Sequence, residues 1–389
     1  MTGNQKMRIV VVGRDLPSKE NNMQGSFEYE QAKMLARAGY EVYYPYIDLR
    51  SIRHWRKFGF TRETRDGVCV IGMNIPIGRL MPAVIRNRLY APLWRRILKA
   101  IGKKYGVPDI VHVHYPALFQ YDFFRGLQEN GAKVVGTEHW SQVQNKTLSP
   151  EYLKNLKDFV KNADAICCVG GLLKKAIIEL TGTKKEVMVI PNVVNSVFKP
   201  VKGQHDGFRF LSCGRLVPVK QFDKVIEAFL NVFQGQTDVT LTLAGDGEEY
   251  SNLAEIIKRR NAENQVRLLG MVSRDKMASL IAGTDALVVF SEFETFCVPV
   301  IEAWTCGKPV ITTTTTTVFA DNADARLGVM VDCQDTRTLE DALLFIYEHY
   351  SEYNSEWISE YAKERFSEES ICRKLSIIYK NTMGYEYSL

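Results

Sequence analysis

No run of apolar residues in this chain approaches the roughly 20 needed to cross a bilayer as a helix, which argues against a membrane-spanning protein. Its cysteines are scattered, the adjacent pair Cys167 and Cys168 aside, with no Cys-x-x-Cys and no histidine partner at ligand spacing. That speaks against a disulfide scaffold or a zinc site and leaves reduced, mostly buried thiols, as expected in the cytosol. No Gly-x-Gly-x-x-Gly follows the first apolar strand, so the dinucleotide fingerprint fails. The N-terminus, "MTGNQKMRIVVVGRD", enters that strand almost at once, and no signal peptide is expected.

What the chain does have is length, uneven charge and alternation. Its 389 residues exceed one compact core and suggest two domains. Residues 1–200 carry 31 Lys and Arg against 17 Asp and Glu, a balance of +14; the remainder carries 19 against 28, or −9. Much of the excess lies between Arg50 and Lys104, where 14 basic residues face 2 acidic ones. A basic half of this kind suits an anionic surface, or serves solubility alone. That stretch has no recognisable nucleic-acid module, and nucleic acid is not an expected partner.

Short β-branched runs recur from "MRIVVVG" through "YEVYYPYI", "DIVHVHY", "AKVVGTEH", "DAICCVG" and "EVMVIPN", with helical stretches between some of them. The pattern restarts at "FRFLSCGR" and continues through "VTLTLAGDG", "QVRLLGM", "DALVVFS" and "KPVITTT". Alternation of this kind predicts an α/β fold with parallel sheets covered by helices. The polar stretch near residues 195–207 reads as a linker between two doubly wound, Rossmann-like domains. Ligands are then expected in the interdomain cleft, where the C-terminal strand ends converge. The threonines Thr312–Thr317 read as a strand, at least for the first two, running into a loop.

One segment asks for a chemical explanation. In "SEFETFCVPVIEAWTCGKPVI", Glu294 and Glu302 are separated by seven uncharged, mostly apolar residues. A strand should end before Ser291 and a helix begin near Pro299, which suits a first helical turn. Glu294 then lies in the exit loop and Glu302 about one turn into the helix, while Glu292 reads as solvated. The N–H groups of Phe296, Cys297 and Val298 should face outward from the helix N-terminus, where they and the macrodipole favour a phosphate. Carboxylates would repel that phosphate but accept hydrogen bonds from sugar hydroxyls, so acids beside a phosphate site fit a nucleotide-sugar.

This segment resembles the signature of the retaining glycosyltransferases of group 1, or family 4, with Glu294, Glu302, Gly307 and "KPVI" in register. The resemblance extends over "VIPNVVNSVFKP", "GRLVPVKQFDKVIEAF" and "LAGDGEEY". It implies the GT-B arrangement: an acceptor domain at 1–195, a nucleotide-sugar domain at 208–365, and a C-terminal helix within 366–389 that crosses back to the first domain. In that helix Ser367 is a candidate cap, and Ile371, Leu375 and Ile378 share one face. The resemblance assigns the donor diphosphate to Arg215 and Lys220, whose fork and ammonium match its charge. It makes His139 the active-site histidine, in contact with sugar or acceptor, and leaves His112 and His114 to packing and loop hydrogen bonds. Gly25, in "NNMQGSFEYE", matches a glycine-rich turn near donor or acceptor, or is a plain loop.

The implied reaction moves a sugar from a nucleotide-diphosphate donor to a glycan or lipid-linked acceptor, in cell-surface polysaccharide or glycolipid synthesis. Anomeric configuration is retained, and no cofactor or obligatory metal is expected; no Asp-x-Asp stands out. Rival readings are a GT-B epimerase or sugar phosphorylase, and a non-catalytic nucleotide-sugar binder. The last is raised by Thr295 and Cys297, which stand where relatives often carry glycine. Beyond "KPVI", "TTTTTTVFADNAD" lacks the relatives' Gly-rich turn, and no contact is assigned to it. The segment "LMPAVIRNRLYAPLWRRILKAIGKKYG", interrupted by Pro82 and Pro92, reads either as a membrane-surface element on anionic lipid or as a basic helix over the first sheet. The expected location is the cytoplasm, with docking to the inner face of the membrane.

Overall fold

The computed structural model describes residues 6–17, 25–78, 83–201 and 205–385, except for the side chains of 83–88. The chain divides into two compact units, Met1–Val193 with Ile371–Leu389, and Val194–Ser370. The linker expected near 195–207 belongs with the second unit, and residues 202–204 of it lie outside the described residues.

Among the described residues the first unit is built on eight strands: β1 (Arg8–Val12), β2 (Glu41–Asp48), β3 (Gly59–Arg65), β4 (Val68–Asn74), β5 (Ile110–His114), β6 (Lys133–Glu138), β7 (Ala165–Cys168) and β8 (Val187–Val189). They lie in the order β3-β4-β2-β1-β5-β6-β7-β8. All neighbours are parallel except β3 and β4. That exception corrects the wholly parallel sheet expected from the sequence. "RDG" supplies the reason: Asp66 (φ 54°) and Gly67 (φ 80°) both take the left-handed backbone of a tight hairpin turn. Strand β3 is mostly exposed, which hid it from a search for apolar runs.

Among the described residues the second unit holds six parallel strands: β9 (Phe208–Cys213), β10 (Val239–Ala244), β11 (Val266–Leu268), β12 (Ala286–Val289), β13 (Val310–Thr313) and β14 (Gly328–Val331). Their order is β11-β10-β9-β12-β13-β14. Thr312 and Thr313 fall in β13, as the sequence suggested. In each sheet the winding reverses beside the first strand, β1 or β9, so the loops leaving β1, β5, β9 and β12 flank a switch point, where such folds bind ligands.

The helix Ala83–Tyr105 contains Pro92 without breaking there, which corrects the expected interruption; Pro82 lies outside the described residues. Trp94, Ile97, Leu98 and Ile101 recur at helical spacing and are buried, so packing outweighs the lost hydrogen bond. Its other face exposes Arg95, Arg96, Lys99, Lys103 and Lys104. The last helix, Glu368–Thr382, is capped by Ser367, whose Oγ accepts from the Ser370 N–H at 3.3 Å. Its Ile371, Leu375, Ile378 and Tyr379 join Ile9, Val11 and Leu35 in the first unit's core. The Tyr379 hydroxyl lies 2.5 Å from Nδ1 of His112. Among the described residues no helix is long and apolar enough to cross a membrane.

Candidate active site

In the second unit, the residues singled out in the sequence meet at the exits of β9 and β12. The β9 exit turns sharply at Gly214 and lies against Gly245 (φ 156°), where a Cβ would stand 1.8 Å from the Gly214 carbonyl oxygen. Only glycine fits there. The chain then makes a short 3-10 turn, Pro218–Lys220, before the helix Phe222–Phe233. The Val219 carbonyl accepts from the Glu292 N–H at 2.9 Å, tying the β9 exit to the β12 exit. Glu292 itself is exposed, as expected.

This tie brings Lys220 to Glu294, and the ammonium is ion-paired with Glu294 Oε1. The Ser291 hydroxyl donates to the same oxygen at 2.8 Å. Burial alone would lower the Lys220 ammonium, but the Glu294 carboxylate outweighs it and the net direction is upward. Arg215 is exposed, with no ion pair among the described residues. The ammonium that the resemblance assigns to the phosphate is thus paired with one of the two acids assigned to hydroxyls.

The threonine segment, to which no contact was assigned, braces the Glu294 loop from its other side. Thr317 Oγ1 donates to the Glu294 carbonyl at 3.1 Å, Thr313 Oγ1 to the Ser291 carbonyl at 2.9 Å, and the Glu294 N–H reaches the Thr315 carbonyl at 3.3 Å.

The helix Val298–Thr305 begins after Cys297, whose backbone is left-handed (φ 78°) although it is not glycine. Such a conformation costs about 1–2 kcal/mol for a residue with a side chain. Burial, then Glu294, pushes the Cys297 thiol well up, with Lys220 opposing, so the sulfur is a neutral lining group. Among the described residues the N–H groups of Phe296, Cys297 and Val298 find no backbone acceptor. Glu302 is partly buried on this helix, and burial raises its carboxyl to about 7 against a small opposing pull from Arg274. Between the ordinary value of about 4.3 and 7, the folded chain keeps a proton that the unfolded chain has released. Stability from this group therefore falls as pH rises through that window. Glu302→Gln is expected to raise the melting temperature by several degrees at pH 8 and hardly at pH 4.5; an equal shift at both would contradict the raised value.

The first unit gathers its own cluster at the exits of β1, β5 and β6. Arg14 Nε donates to Glu28 Oε1 at 2.8 Å, and the guanidinium lies 3.8 Å from the Tyr115 ring centroid. Glu28 is fully buried, and its Oε2 has no hydrogen-bond partner among the described residues. Gly25 (φ 74°) starts the helix Ser26–Arg37 that carries Glu28, and a Cβ there would meet the Asp15 carbonyl oxygen at 2.0 Å. It is therefore a required close approach; residues 18–24 before it lie outside the described residues.

His139 stacks on Tyr115 with centroids 4.9 Å apart, and its Nε2 lies 2.8 Å from Nδ1 of His114. Burial, then Arg14, holds the His139 imidazole down to about 3, so it is neutral at physiological pH. His112 is used in packing, between Tyr379, Gln31 and Thr137. His114 does more than pack, being the direct partner of His139. Buried Glu138 accepts from the N–H groups of His139 and Trp140, each at 2.9 Å, and fixes the turn that presents His139. Arg14, Glu28 and Glu138 were missed in the sequence. Glu28 left a trace, because it shares a helical face with Ala32 and Leu35.

Comparison with known proteins agrees with this geometry. Residues 195–365 match the family described as Glycosyl transferases group 1, and residues 25–197 match Glycosyltransferase Family 4. The chain is 25% identical over 290 residues to N-acetyl-alpha-D-glucosaminyl L-malate synthase of Bacillus anthracis, across 71% of this chain and 75% of that protein. Sucrose-phosphate synthase from Thermosynechococcus elongatus superposes with a TM-score of 0.78 at 20% identity, over 97% of this chain and 100% of that one. Anabaena Alr3699/HepE in complex with UDP gives 0.73 at 16% identity, over 96% and 100%. These structural likenesses establish the GT-B fold of two parallel-sheet α/β domains. With a match to each half, the chain belongs to the group 1, family 4 glycosyltransferases.

Proposed function

We propose that the protein transfers a sugar from a nucleoside-diphosphate donor to a glycan or lipid-linked acceptor, with retention of configuration and without an obligatory metal, in cell-surface polysaccharide or glycolipid synthesis. The observation that carries this reading is the meeting of Lys220, Ser291, Glu294 and the start of the helix Val298–Thr305 in the second unit. A diphosphate would take the N–H groups of Phe296, Cys297 and Val298 together with Lys220, with Arg215 free to swing onto it. Glu294 would then release its cation and accept from a sugar hydroxyl, while Glu302 accepts from another. Donors aimed at the charge growing on the leaving phosphate are each worth about 3 kcal/mol, or roughly 10²-fold in rate. The departing phosphate oxygen takes the acceptor proton, so neither glutamate serves as a glycosidase-type nucleophile or base. Neutral His139, in the first unit, would hold the sugar or the acceptor through a ring nitrogen.

A UDP-bound neighbour of the same fold and a relative named for joining N-acetylglucosamine to malate support nucleotide-sugar chemistry. The exposed cations Arg95, Arg96, Lys99, Lys103 and Lys104 support docking to anionic lipid. Thermal-shift screening against UDP, GDP and their sugars would identify the donor, since a native-state ligand raises the melting temperature. With that donor, Glu294→Gln is expected to cut turnover about 10- to 100-fold while shifting the melt little. Unchanged donor-dependent turnover would overturn the assignment.

A further inference from the structure

A cavity of about 820 Å³ opens in the first unit beside the ends of β2 and β4, and the cluster around His139 does not account for it. Its apolar lining comes from Ile47, Leu49 and Ile77, and its cationic lining from Arg50 and Arg53, with His54 beside them. Asp15, next in sequence to Arg14, also lines it, which links the cavity to the Arg14–Glu28 pair.

The loop carrying the cations is held in place. Arg56 donates to the carbonyls of Arg50 and His54, each at 2.8 Å, and to that of Ser51 at 3.2 Å. The N–H groups of Ile75 and Gly78 donate to the carbonyls of Asp48 and Leu49, each at 2.8 Å. Asp48 is neutralised by Arg50 at 2.9 Å and Arg56 at 2.6 Å. Arg53 is exposed and has no ion pair among the described residues. The same loop holds Ile52 63% and Trp55 82% exposed, two large apolar side chains in water beside cations.

A rigid loop that sets a guanidinium at the mouth of a partly apolar cavity suits a molecule with an anionic group on a hydrocarbon body. Asp15 offers an acceptor for a hydroxyl at the end nearer Arg14; its carboxyl is raised, chiefly by burial. We infer that this cavity is an acceptor pocket and takes a phosphate ester carried on a hydrocarbon chain. The inference rests on the transferase reading above for the word acceptor; the binding claim stands by itself.

The test is calorimetric titration of the full chain with decyl phosphate, inorganic phosphate and decyl maltoside, each below any micelle-forming concentration, with UDP as a control for the second unit. Decyl phosphate is expected to bind at least ten-fold more tightly than inorganic phosphate. Arg53→Ala should weaken it about five-fold, as for an exposed ionic contact, and Ile52→Ser should weaken it about two-fold. Both positions are exposed, so melts and UDP binding should be unchanged. Decyl maltoside should not distinguish Arg53→Ala from the native chain. Equal affinity for inorganic and decyl phosphate, indifference of decyl phosphate to both substitutions, or no binding of decyl phosphate would each overturn the inference. A chain that binds decyl phosphate as expected yet neither binds nor turns over any nucleotide-sugar would sink the transferase reading and leave the cavity assignment standing.

Discussion

Lys220→Ala is expected to lower kcat/KM with the nucleotide-sugar about 10²- to 10³-fold, the loss seen when one well-placed donor to a developing anion is removed. The ammonium stands against Glu294 and beside the start of the helix Val298–Thr305, so it can serve the carboxylate before the donor arrives and the phosphate afterwards. Removing it also breaks the ion pair of Glu294, whose side chain is only 12% exposed. That should cost about 1–2 kcal/mol of stability and add repulsion toward the diphosphate. The two effects separate in a double-mutant cycle with Glu294→Gln. If Lys220 only neutralised Glu294, the double variant would recover the turnover of Glu294→Gln alone. Recovery to that level would remove Lys220 from the donor site; steady-state kinetics and denaturant midpoints supply both readings.

Arg14→Met is expected to destabilise the chain by about 2 kcal/mol, because it strands a fully buried carboxylate. The loss is smaller than for a wholly buried pair because the Arg14 side chain is 30% exposed. Arg14→Met combined with Glu28→Gln should recover most of the loss, since no buried charge then remains. Denaturant midpoints of the three variants decide it, and an uncorrected double variant would show that Arg14 acts by packing on Tyr115 instead. The same substitution should raise the His139 imidazole, because Arg14 helps burial to depress it. Histidine titration by NMR would report that direction even where stability is restored.

The parts of the site that were legible had local causes. Apolar β-branched runs marked eleven of the fourteen strands among the described residues, missing β3, β4 and β14, and did best at the centre, where both faces are buried: β1, β5, β9 and β12 are recognisable in the bare sequence. The spacing of Glu294 and Glu302 across a strand exit and a helix start survived intact, as did Ser367 as a cap and the buried face of the final helix. Strand β3 did not, because an exposed edge strand carries no apolar run and only its Asp66–Gly67 turn announced it. Pro92 was misread as a break because propensity cannot see the four buried side chains that hold its helix down.

By itself the sequence determined the class of fold, the two-unit plan and the placement of Glu294, Glu302 and a helix start at one strand exit, since each depends on residues close together along the chain. Tertiary structure alone decided who meets whom: Lys220 with Glu294 across 74 residues, Arg14 with Glu28 across 14, His114 with His139 across 25, and the threonine brace behind Ser291. Parallel strands place distant exits side by side, and an ion pair or hydrogen bond formed there depends on sheet order and loop packing. Neither is written in the local pattern.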